Sequence, residues 1–516
     1  MQTITYKYTH GAHHREDNIK EYLDSIPNDS IFYDLGANLG WFSLYMAERV
    51  SSVYAFEVDK INFVGLTENL QQNPHLNNVN IFNVGIADEK KTVFLNAQTD
   101  DSIGDHHKTL QLENYSGPPE IVKTNIQTLV EVDSLDNIIT SLGLPYPTHL
   151  KVDIDGSEYA FLVGSPNALR NAKSLIIEFF VDTPYYQKSI DLLESYGFFM
   201  INKYSIPFET GIYNFVFEKR WDKKGRIFDK SRAQLPVVDI YPDRYRIYYS
   251  TRNNDGKSIP MYIEVDKENP SIILTEQTNV GLELGKHGSF DWAGIMPTAI
   301  ISVGNLKYLY YIGWSLRKDV PYHNCLGLAT SNDNGTTWEK VSLGPIMTSS
   351  INEPGYIGTV DVLIEDGIWK MWYLSCRTWI EHDGRMEPTY DIKYATSSDG
   401  ISWTPSNITC IPLCDTEGGI SAARVVKKRD VYHMWFSVRG DIDYRTDSNK
   451  SYRIQRAISI DGINWERVFT NEIKPSDEGW DSFMVCYPYI IIENDKELLF
   501  YNGNNFGETG VGYAVR

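Results

Sequence analysis

The chain has 516 residues and a mass of 59.1 kDa, with 42% hydrophobic, 13% aromatic and 22% charged residues. That is enough apolar material for roughly two to four domains, and it excludes disorder as the dominant state. A formal net charge of −20 and a pI near 5.0 give no basic footprint for a phosphate backbone, so nucleic acid is not expected as a partner and a neutral or cationic small substrate fits better. The opening MQTITYKYTHGAHHRED lacks the apolar core of a secretory signal, and no stretch approaches the roughly 18 apolar residues of a membrane span. The sequence therefore reads as soluble and cytoplasmic. The five cysteines all lie in the second half, and the only close pair, Cys410 and Cys414, has no second Cys/His pair at metal spacing, so isolated thiols are expected.

From about residue 31 to 218, short β-rich runs alternate with amphipathic ones. Strands are predicted at Ile31–Leu35, Ser52–Glu57, Val79–Ile86, His149–Ile154, Ser174–Phe180, Phe198–Tyr204 and Gly211–Glu218. Helices are predicted at Trp41–Arg49, Val64–Gln72, Ser157–Arg170 and Tyr185–Tyr196, the pattern of helices packed on a mostly parallel sheet. The interval from Ala87 to Pro147, with its tract TDDSIGDHH, reads either as an insertion beside a ligand site or as a surface loop.

The charged segment EKRWDKKGRIFDKSRAQLP follows, and residues 221–235 read as a linker between a domain at 1–220 and another at 236–516. Beyond it, aromatic strands recur about sixty residues apart: YRIYYSTR from Tyr245, YLYYIGWS from Tyr308, WKMWYLSCR from Trp369, VYHMWFSVR from Val431 and ELLFYNGN from Glu497. Such radial repetition predicts an all-β five-bladed propeller. SNDNGTTW from Ser331, SSDGISW from Ser397 and SIDGINW from Ser459 place Ser, Asp and Gly in a tight turn before a Trp. They resemble the Asp-box hairpins of sialidase-type propellers, which implies a scaffold role.

The sharpest motif is IFYDLGANLGW, in which Asp34, Gly36, Asn38 and Gly40 fall where the first strand turns into its helix and the glycines allow close backbone approach to a cofactor. Glu57, at the end of the second strand, is placed to accept ribose hydroxyls, a need shared by NAD and S-adenosylmethionine. Asp34 and Asn38 would repel a diphosphate but accommodate a sulfonium and an α-amine, which favours S-adenosylmethionine. Asp88, after the third strand, is placed either to meet the adenine amine or simply to form a turn.

YDLGANLGWFSL, VYAFEVD, the ENL at Glu68–Leu70, VDSLDNII from Val132 and above all LKVDIDGSEYAFLVG from Leu150 resemble the FkbM family of S-adenosylmethionine-dependent O-methyltransferases over roughly residues 30–180. The resemblance implies an α/β class I (Rossmann-like) methyltransferase domain acting on hydroxyls of sugars or secondary metabolites. Asp155 departs from it, because the family commonly has Glu before that glycine.

LKVDIDGSEY is a buried strand that ends abruptly in acids, and ligands of doubly wound sheets sit at the carboxyl ends of strands. Asp153 is therefore expected to face the methyl group and the acceptor hydroxyl, with Lys151, Asp155, Glu158 and His149 around it. Glu158 reads equally as a helix cap, and His149 as a satisfied edge histidine. Asp153 either orients and deprotonates the hydroxyl, or a divalent metal bridges Asp153, Asp155 and Glu178. His10, His13 and His14 read as a solvated arm or as groups near the acceptor.

In the second half, GIMPTAIIS, GTVDVLIE, GGISAARVV and MVCYPYIII are the predicted channel-lining strands, with Asp291, Asp361, Glu417, Arg424 and Asp481 near or within them. Blade count and strand style resemble the arabinanase and levansucrase type of glycoside-hydrolase propeller, which implies that Asp291, Asp361 and Glu417 share the base, pKa-tuning and acid roles. These three are not at equivalent blade positions. A second sugar-active enzyme, a glycan-binding module and a scaffold all remain open.

Overall fold

A computed structural model describes residues 4–9, 19–97, 108–117, 126–206, 209–229, 232–428, 430–493 and 496–516. His10, His13, His14 and the tract TDDSIGDHH lie outside them. The chain divides into two compact units, residues 1–220 with 428–430, and residues 221–427 with 431–516. No helix among the described residues is long and apolar enough to cross a membrane.

In chain order the first unit comprises α1 (Lys20–Asp24), β1 (Ile31–Leu35), α2 (Trp41–Ala47), β2 (Ser52–Phe56), α3 (Lys60–Gln71), β3 (Val79–Phe82), β4 (Gly85–Ile86), β5 (Lys91–Ala97), β6 (Lys108–Leu110), β7 (Ile126–Asp133), α4 (Leu135–Leu142) and β8 (His149–Val152). It continues with α5 (Glu158–Gly164), α6 (Pro166–Asn171), β9 (Ser174–Phe180), α7 (Tyr186–Ser195), β10 (Phe198–Ser205) and β11 (Ile212–Lys219). A seven-stranded sheet runs β10-β11-β9-β8-β1-β2-β3. Its strands pair in parallel except β11, which is antiparallel to both β9 and β10.

Both faces of this sheet are covered, which is why its strands read as continuous apolar runs. Alternation sorts the side chains: Phe32 and Val53 pack with Phe42, Leu44 and Met46 of α2, whereas Tyr33, Leu35 and Leu150 pack with Ile138, Phe161 and Leu169 of α4, α5 and α6. The chain order reverses between β1 and β8, so the carboxyl ends of these two neighbours flank a switch point.

Two predicted elements divide. Val79–Ile86 splits because a Cβ on Gly85 would come within 2.7 Å of Val132 and 2.9 Å of Val58, so the chain peels into a second sheet, β4-β7-β5-β6. Ser157–Arg170 splits at Ser165, where Pro166 starts α6. Asp136 of α4 accepts from the amides of Asn167 and Ala168 and so satisfies the start of that helix.

Among its described residues the second unit forms one four-stranded sheet and two eight-stranded sheets, each of the latter being two antiparallel four-stranded sheets joined by a single parallel pairing, Ser258 with Gly294 and Tyr390 with Gly419. Their first strands are Gln234–Ile240, Gly294–Val303, Ile357–Glu365, Glu417–Lys428 and Cys486–Glu493. The predicted linker is corrected here. Asp222–Phe228 is a strand paired with Val511–Val515, so it completes the last sheet, and Gln234–Ile240 opens the first. Asp222–Phe228 lies at a sheet edge with alternate residues exposed, and charges on such an edge imitate a linker.

The first strands carry the same irregularity at the same level. Register shifts fall between Gln234 and Val237, Pro297 and Ala299, Ile357 and Val360, and Cys486 and Tyr489. Leu235, Ala422 and Tyr487 adopt φ of 58°, 50° and 55°, left-handed conformations that non-glycine residues hold only against strain.

The Ser-Asp-Gly turns latch neighbouring sheets. In each, the Asp carboxylate (Asp333, Asp399, Asp461) accepts from two following amides and the Ser hydroxyl accepts from the Gly amide. The buried Gly carbonyl then accepts from the preceding sheet: Gly335 from Arg246, Gly400 from the Tyr310 hydroxyl and Gly462 from the Trp372 indole.

Candidate functional site

The glycine-rich turn after β1 is built against the protein itself. Gly36 and Gly40 adopt φ of 82° and 85°. A Cβ on Gly36 would lie 1.8 Å from the Asp153 carbonyl oxygen, and one on Gly40 would lie 2.3 Å from Leu66. On the side where a side chain would point, the space is taken by the end of β8 and by α3, and the glycines bring β1 and β8 together. The amides of Gly36 and Ala37 donate to the Phe56 carbonyl. Asn69, in the ENL motif, donates to the Leu39 carbonyl and fixes the turn from the α3 side.

Glu57 sits just past β2, where its Oε2 accepts from the Asn38 amide at 2.8 Å and its Oε1 from the Asp59 amide at 2.7 Å. Asp59 also caps α3, accepting from Ile61 and Asn62. Burial lifts Glu57 to a pKa of about 7 against the pull of these two amides. Asp34 is buried, accepts from the Ser43 hydroxyl at 2.6 Å and is raised by burial, with Lys151 opposing. Asp34 Oδ1 and Asn38 Oδ1 are buried with no hydrogen-bond partner. Two orphaned acceptors beside an ionisable carboxylate fit a ligand that brings amine and hydroxyl donors, as S-adenosylmethionine does.

Beyond β8 the acids separate into distinct roles. Lys151 Nζ lies 2.9 Å from Asp153 Oδ2 and 4.8 Å from the centre of the Phe42 ring. The Lys151 side chain is 3% exposed and that of Asp153 26%, so Asp153 presents the accessible carboxylate of the pair. Asp155 adopts φ 48° and is driven well above the usual carboxylate range by burial and by the charges of Asp153, Glu158 and Glu57. Glu158 is buried, and burial raises it to about 7. Its Oε1 accepts from the Ile154 and Gly156 amides and its Oε2 from the Ser116 hydroxyl, so it pins the loop after β8 and is not presented to a substrate.

Several expectations change. His149 starts β8, opposite Phe32, at the amino end of the parallel strands, and four residues of extended chain carry it roughly 13 Å from Asp153. Its Nδ1 lies 2.9 Å from Thr148 Oγ1, so it is not part of the cluster. Asp153, Asp155 and Glu178 do not gather their oxygens as a metal site requires. Among the described residues the only such group of three is His382, Asp383 and Asp443 in the second unit. Glu178 is on β9 opposite Asn214. Asp88 is engaged by Lys91 at 2.7 Å and by Asn114 at 3.2 Å, the arrangement of a turn.

The interval after Ala87 supplies groups that the motifs did not signal. Ser116 donates from both its amide and its hydroxyl to the Gly156 carbonyl, and a Cβ on Gly156 would meet the Tyr115 ring at 2.2 Å. Lys108 Nζ lies 3.1 Å from Asp59 Oδ1 and lowers Glu57 electrostatically. A lone Lys in a KTLQL strand carries no sequence signal for a carboxylate so far away in the chain.

In the second unit the predicted acid triad is corrected. Asp291 is paired with Lys340 at 2.6 Å, Asp361 with Arg424 at 2.7 Å, and Glu417 with both nitrogens of Arg467 at 2.8 and 2.7 Å. Burial would raise Glu417, but Arg467 outweighs it and holds the carboxyl below its ordinary value. Asp481 is likewise held, by Lys223 at 2.6 Å and the Tyr501 hydroxyl at 2.9 Å. At the strained ends of the first strands opens a cavity of about 350 Å³, lined among others by Arg252, Trp314, Tyr322, Ser421, Arg445 and Tyr487. None of the three acids lines it, and no Asp or Glu does.

Comparison with known proteins places this geometry. Residues 34–200 match the family model of the methyltransferase FkbM domain. "Uncharacterized protein Rv1502" of Mycobacterium tuberculosis is 34% identical over 309 residues, covering 57% of this chain and 98% of that protein. That match is longer than the first unit and so includes residues of the second. "Hexuronic acid methyltransferase AglP" of Haloferax volcanii is 25% identical over 163 residues, 32% of this chain and 61% of that protein. Among solved structures, one titled "Glycoside hydrolase" covers 57% of this chain and 91% of its own, at 17% identity and a TM-score of 0.46.

Proposed function

We propose, for a chain that belongs to the family of the mycobacterial protein Rv1502 and carries an FkbM methyltransferase domain, that the first unit is an S-adenosylmethionine-dependent O-methyltransferase acting on a sugar hydroxyl. The observation that carries this reading is the convergence, at the carboxyl ends of β1, β2 and β8, of the orphaned Asp34 and Asn38 oxygens, Glu57 and the exposed carboxylate of Asp153. The strand order with one antiparallel strand supports reading this unit as a class I, Rossmann-like methyltransferase. The archaeal relative named for hexuronic acid supports a sugar acceptor.

Asp34, Asn38 and Glu57 are the residues that would hold S-adenosylmethionine, which when bound supplies a methyl carbon activated by its sulfonium. Asp153 Oδ1, opposite the oxygen held by Lys151, accepts the hydrogen bond of the acceptor hydroxyl and takes its proton. Lys151 holds one oxygen of that carboxylate, so the base is oriented before substrate arrives. No metal enters this reading, because the oxygens of Asp153, Asp155 and Glu178 are not gathered.

The second unit reads as a five-bladed propeller whose last blade is closed by Asp222–Phe228, and it is assigned a carbohydrate-binding role. The separate ion pairs of Asp291, Asp361 and Glu417 favour binding over hydrolysis, which needs two carboxyl groups roughly 5–10 Å apart across one bond. The test is to incubate the intact protein with methyl-labelled S-adenosylmethionine and a panel of nucleotide sugars and short glycans. Label transfer to a sugar is expected; transfer to none of them, or binding of neither the donor nor its demethylated product, overturns the reading.

A further inference from the structure

We propose that the cavity in the second unit binds an acidic saccharide, a sugar ring bearing a carboxylate or sulfate, and holds it without cleaving it, an inference that rests on the carbohydrate-binding reading of this unit. The lining is aromatic, with Trp314, Tyr322, Tyr356, Tyr390 and Tyr487 offering flat apolar faces with polar rims, as a pyranose requires. Its charge is of one sign. Arg252 and Arg445 are the ionised side chains of the lining, and no carboxylate accompanies them. Arg252 donates to the Gly256 carbonyl at 3.1 Å, stacks on Trp314 at 4.8 Å and makes no ion pair among the described residues. Its charged neighbour is another guanidinium, Arg232. Arg445 is ion-paired with Glu387 at 3.2 and 3.4 Å, so Arg252 is the lining cation without a carboxylate partner among the described residues, and behind the lining Arg439 lies 4.9 Å from the Tyr390 ring centre and 3.9 Å from that of Tyr444. A chain of net charge −20 thus concentrates cations at one aromatic cavity.

Two further observations point to a ligand. The Ser421 hydroxyl, on the lining, is buried with no hydrogen-bond partner. Leu235, Ala422 and Tyr487 hold left-handed backbone at the level of this cavity, and such strain persists where a ligand clamp is over-determined by its surroundings. No Asp or Glu lines this cavity, and Asp361, in the adjoining pocket that shares Leu235 and Tyr487 with it, is held by Arg424, which favours binding without turnover.

The experiment uses the full chain in calorimetry at low salt, with tri-galacturonate, a chondroitin sulfate disaccharide and neutral xylotriose as probes. An acidic probe is expected to bind about tenfold or more tightly than xylotriose, to weaken with added salt, and to yield no new reducing ends on prolonged incubation. Arg252→Gln is expected to lower that affinity by about tenfold, with partial rescue in Arg252→Lys. Arg445→Gln gives the same direction should Arg252→Gln fail to fold. Equal binding of xylotriose, binding of neither acidic probe, or release of reducing ends overturns the proposal. Methyl transfer measured on the same preparations separates the two readings. Asp153→Asn should lose transfer and keep acidic-sugar binding, whereas transfer that persists without any sugar binding sinks the cavity proposal alone.

Discussion

Within the first unit, Lys151 and Asp153 form a pair in which the cation is sealed and the carboxylate is presented, and this division sets what substitution does. Asp153→Asn keeps the shape but removes the proton acceptor, so methyl transfer should fall by about 10² or more while donor affinity changes little. Single-turnover assays beside calorimetry check this, and a fully active variant would discard the base. Glu57 and Glu158 give a second prediction. Their pKa values are raised by burial to about 7, so in this range the folded protein holds more protons than the unfolded chain does. Their stabilising contribution is therefore complete below the ordinary value of 4.5 and is lost as pH rises through about 7. A cationic donor favours the ionised cluster, so S-adenosylmethionine affinity should strengthen from about pH 6 to about pH 8 with protons released. Calorimetry in buffers of different ionisation enthalpy reads that release; an unchanged affinity with no proton exchange would show that the cluster does not sense the donor.

At the scale of strands and turns, physics that is local in the chain was legible and physics that is long-range was not. Ile31–Leu35 and Ser174–Phe180 were readable because both faces are buried and the apolar run is unbroken. The acids of LKVDIDGSEY were visible as acids, but their division into a presented Asp153 and a loop-pinning Glu158 depends on Ser116, far away in the chain. Asp291, Asp361 and Glu417 looked catalytic because Lys340, Arg424 and Arg467, which neutralise them, lie 49 to 63 residues further on. The Ser-Asp-Gly turns were readable as turns, and the structure adds that their Gly carbonyls hold the preceding sheet. Gly400 has φ 72°, and a Cβ there would lie 2.6 Å from the Trp369 ring. Gly400→Ala should therefore destabilise the second unit by about 1–3 kcal/mol, measured by urea unfolding. Asp399 and Asp461, held at pKa values of about 2 by hydrogen bonds of their turns, stabilise above the ordinary value of 3.8 and cease to do so as pH falls through about 2.

For the molecule as a whole, the closure of the second unit is its most consequential contact. Glu472, fully buried, lies 3.2 Å from Arg456 and 3.4 Å from Arg516, and accepts from the Trp221 and Trp435 indoles. One carboxylate thereby joins the fourth sheet to Trp221 and Arg516, which adjoin the paired strands Asp222–Phe228 and Val511–Val515 of the last sheet. Glu472→Ala removes this carboxylate from the buried Arg456 guanidinium, while Arg516 keeps Glu497, and should cost about 3–5 kcal/mol. Eleven of the twelve Trp residues belong to this unit, Trp41 being the exception, so tryptophan fluorescence during denaturant unfolding reports it directly. A midpoint unmoved by the substitution would show that the closure is not what limits stability.

The pairing of Asp222–Phe228 with Val511–Val515 also sets a timetable for synthesis. The first of these strands leaves the ribosome early and meets its partner only after nearly three hundred further residues, roughly 15–60 s at ordinary elongation rates. Throughout that wait an unsatisfied backbone edge faces solvent or a chaperone, and the nascent second unit stays open to invasion by any strand that arrives first.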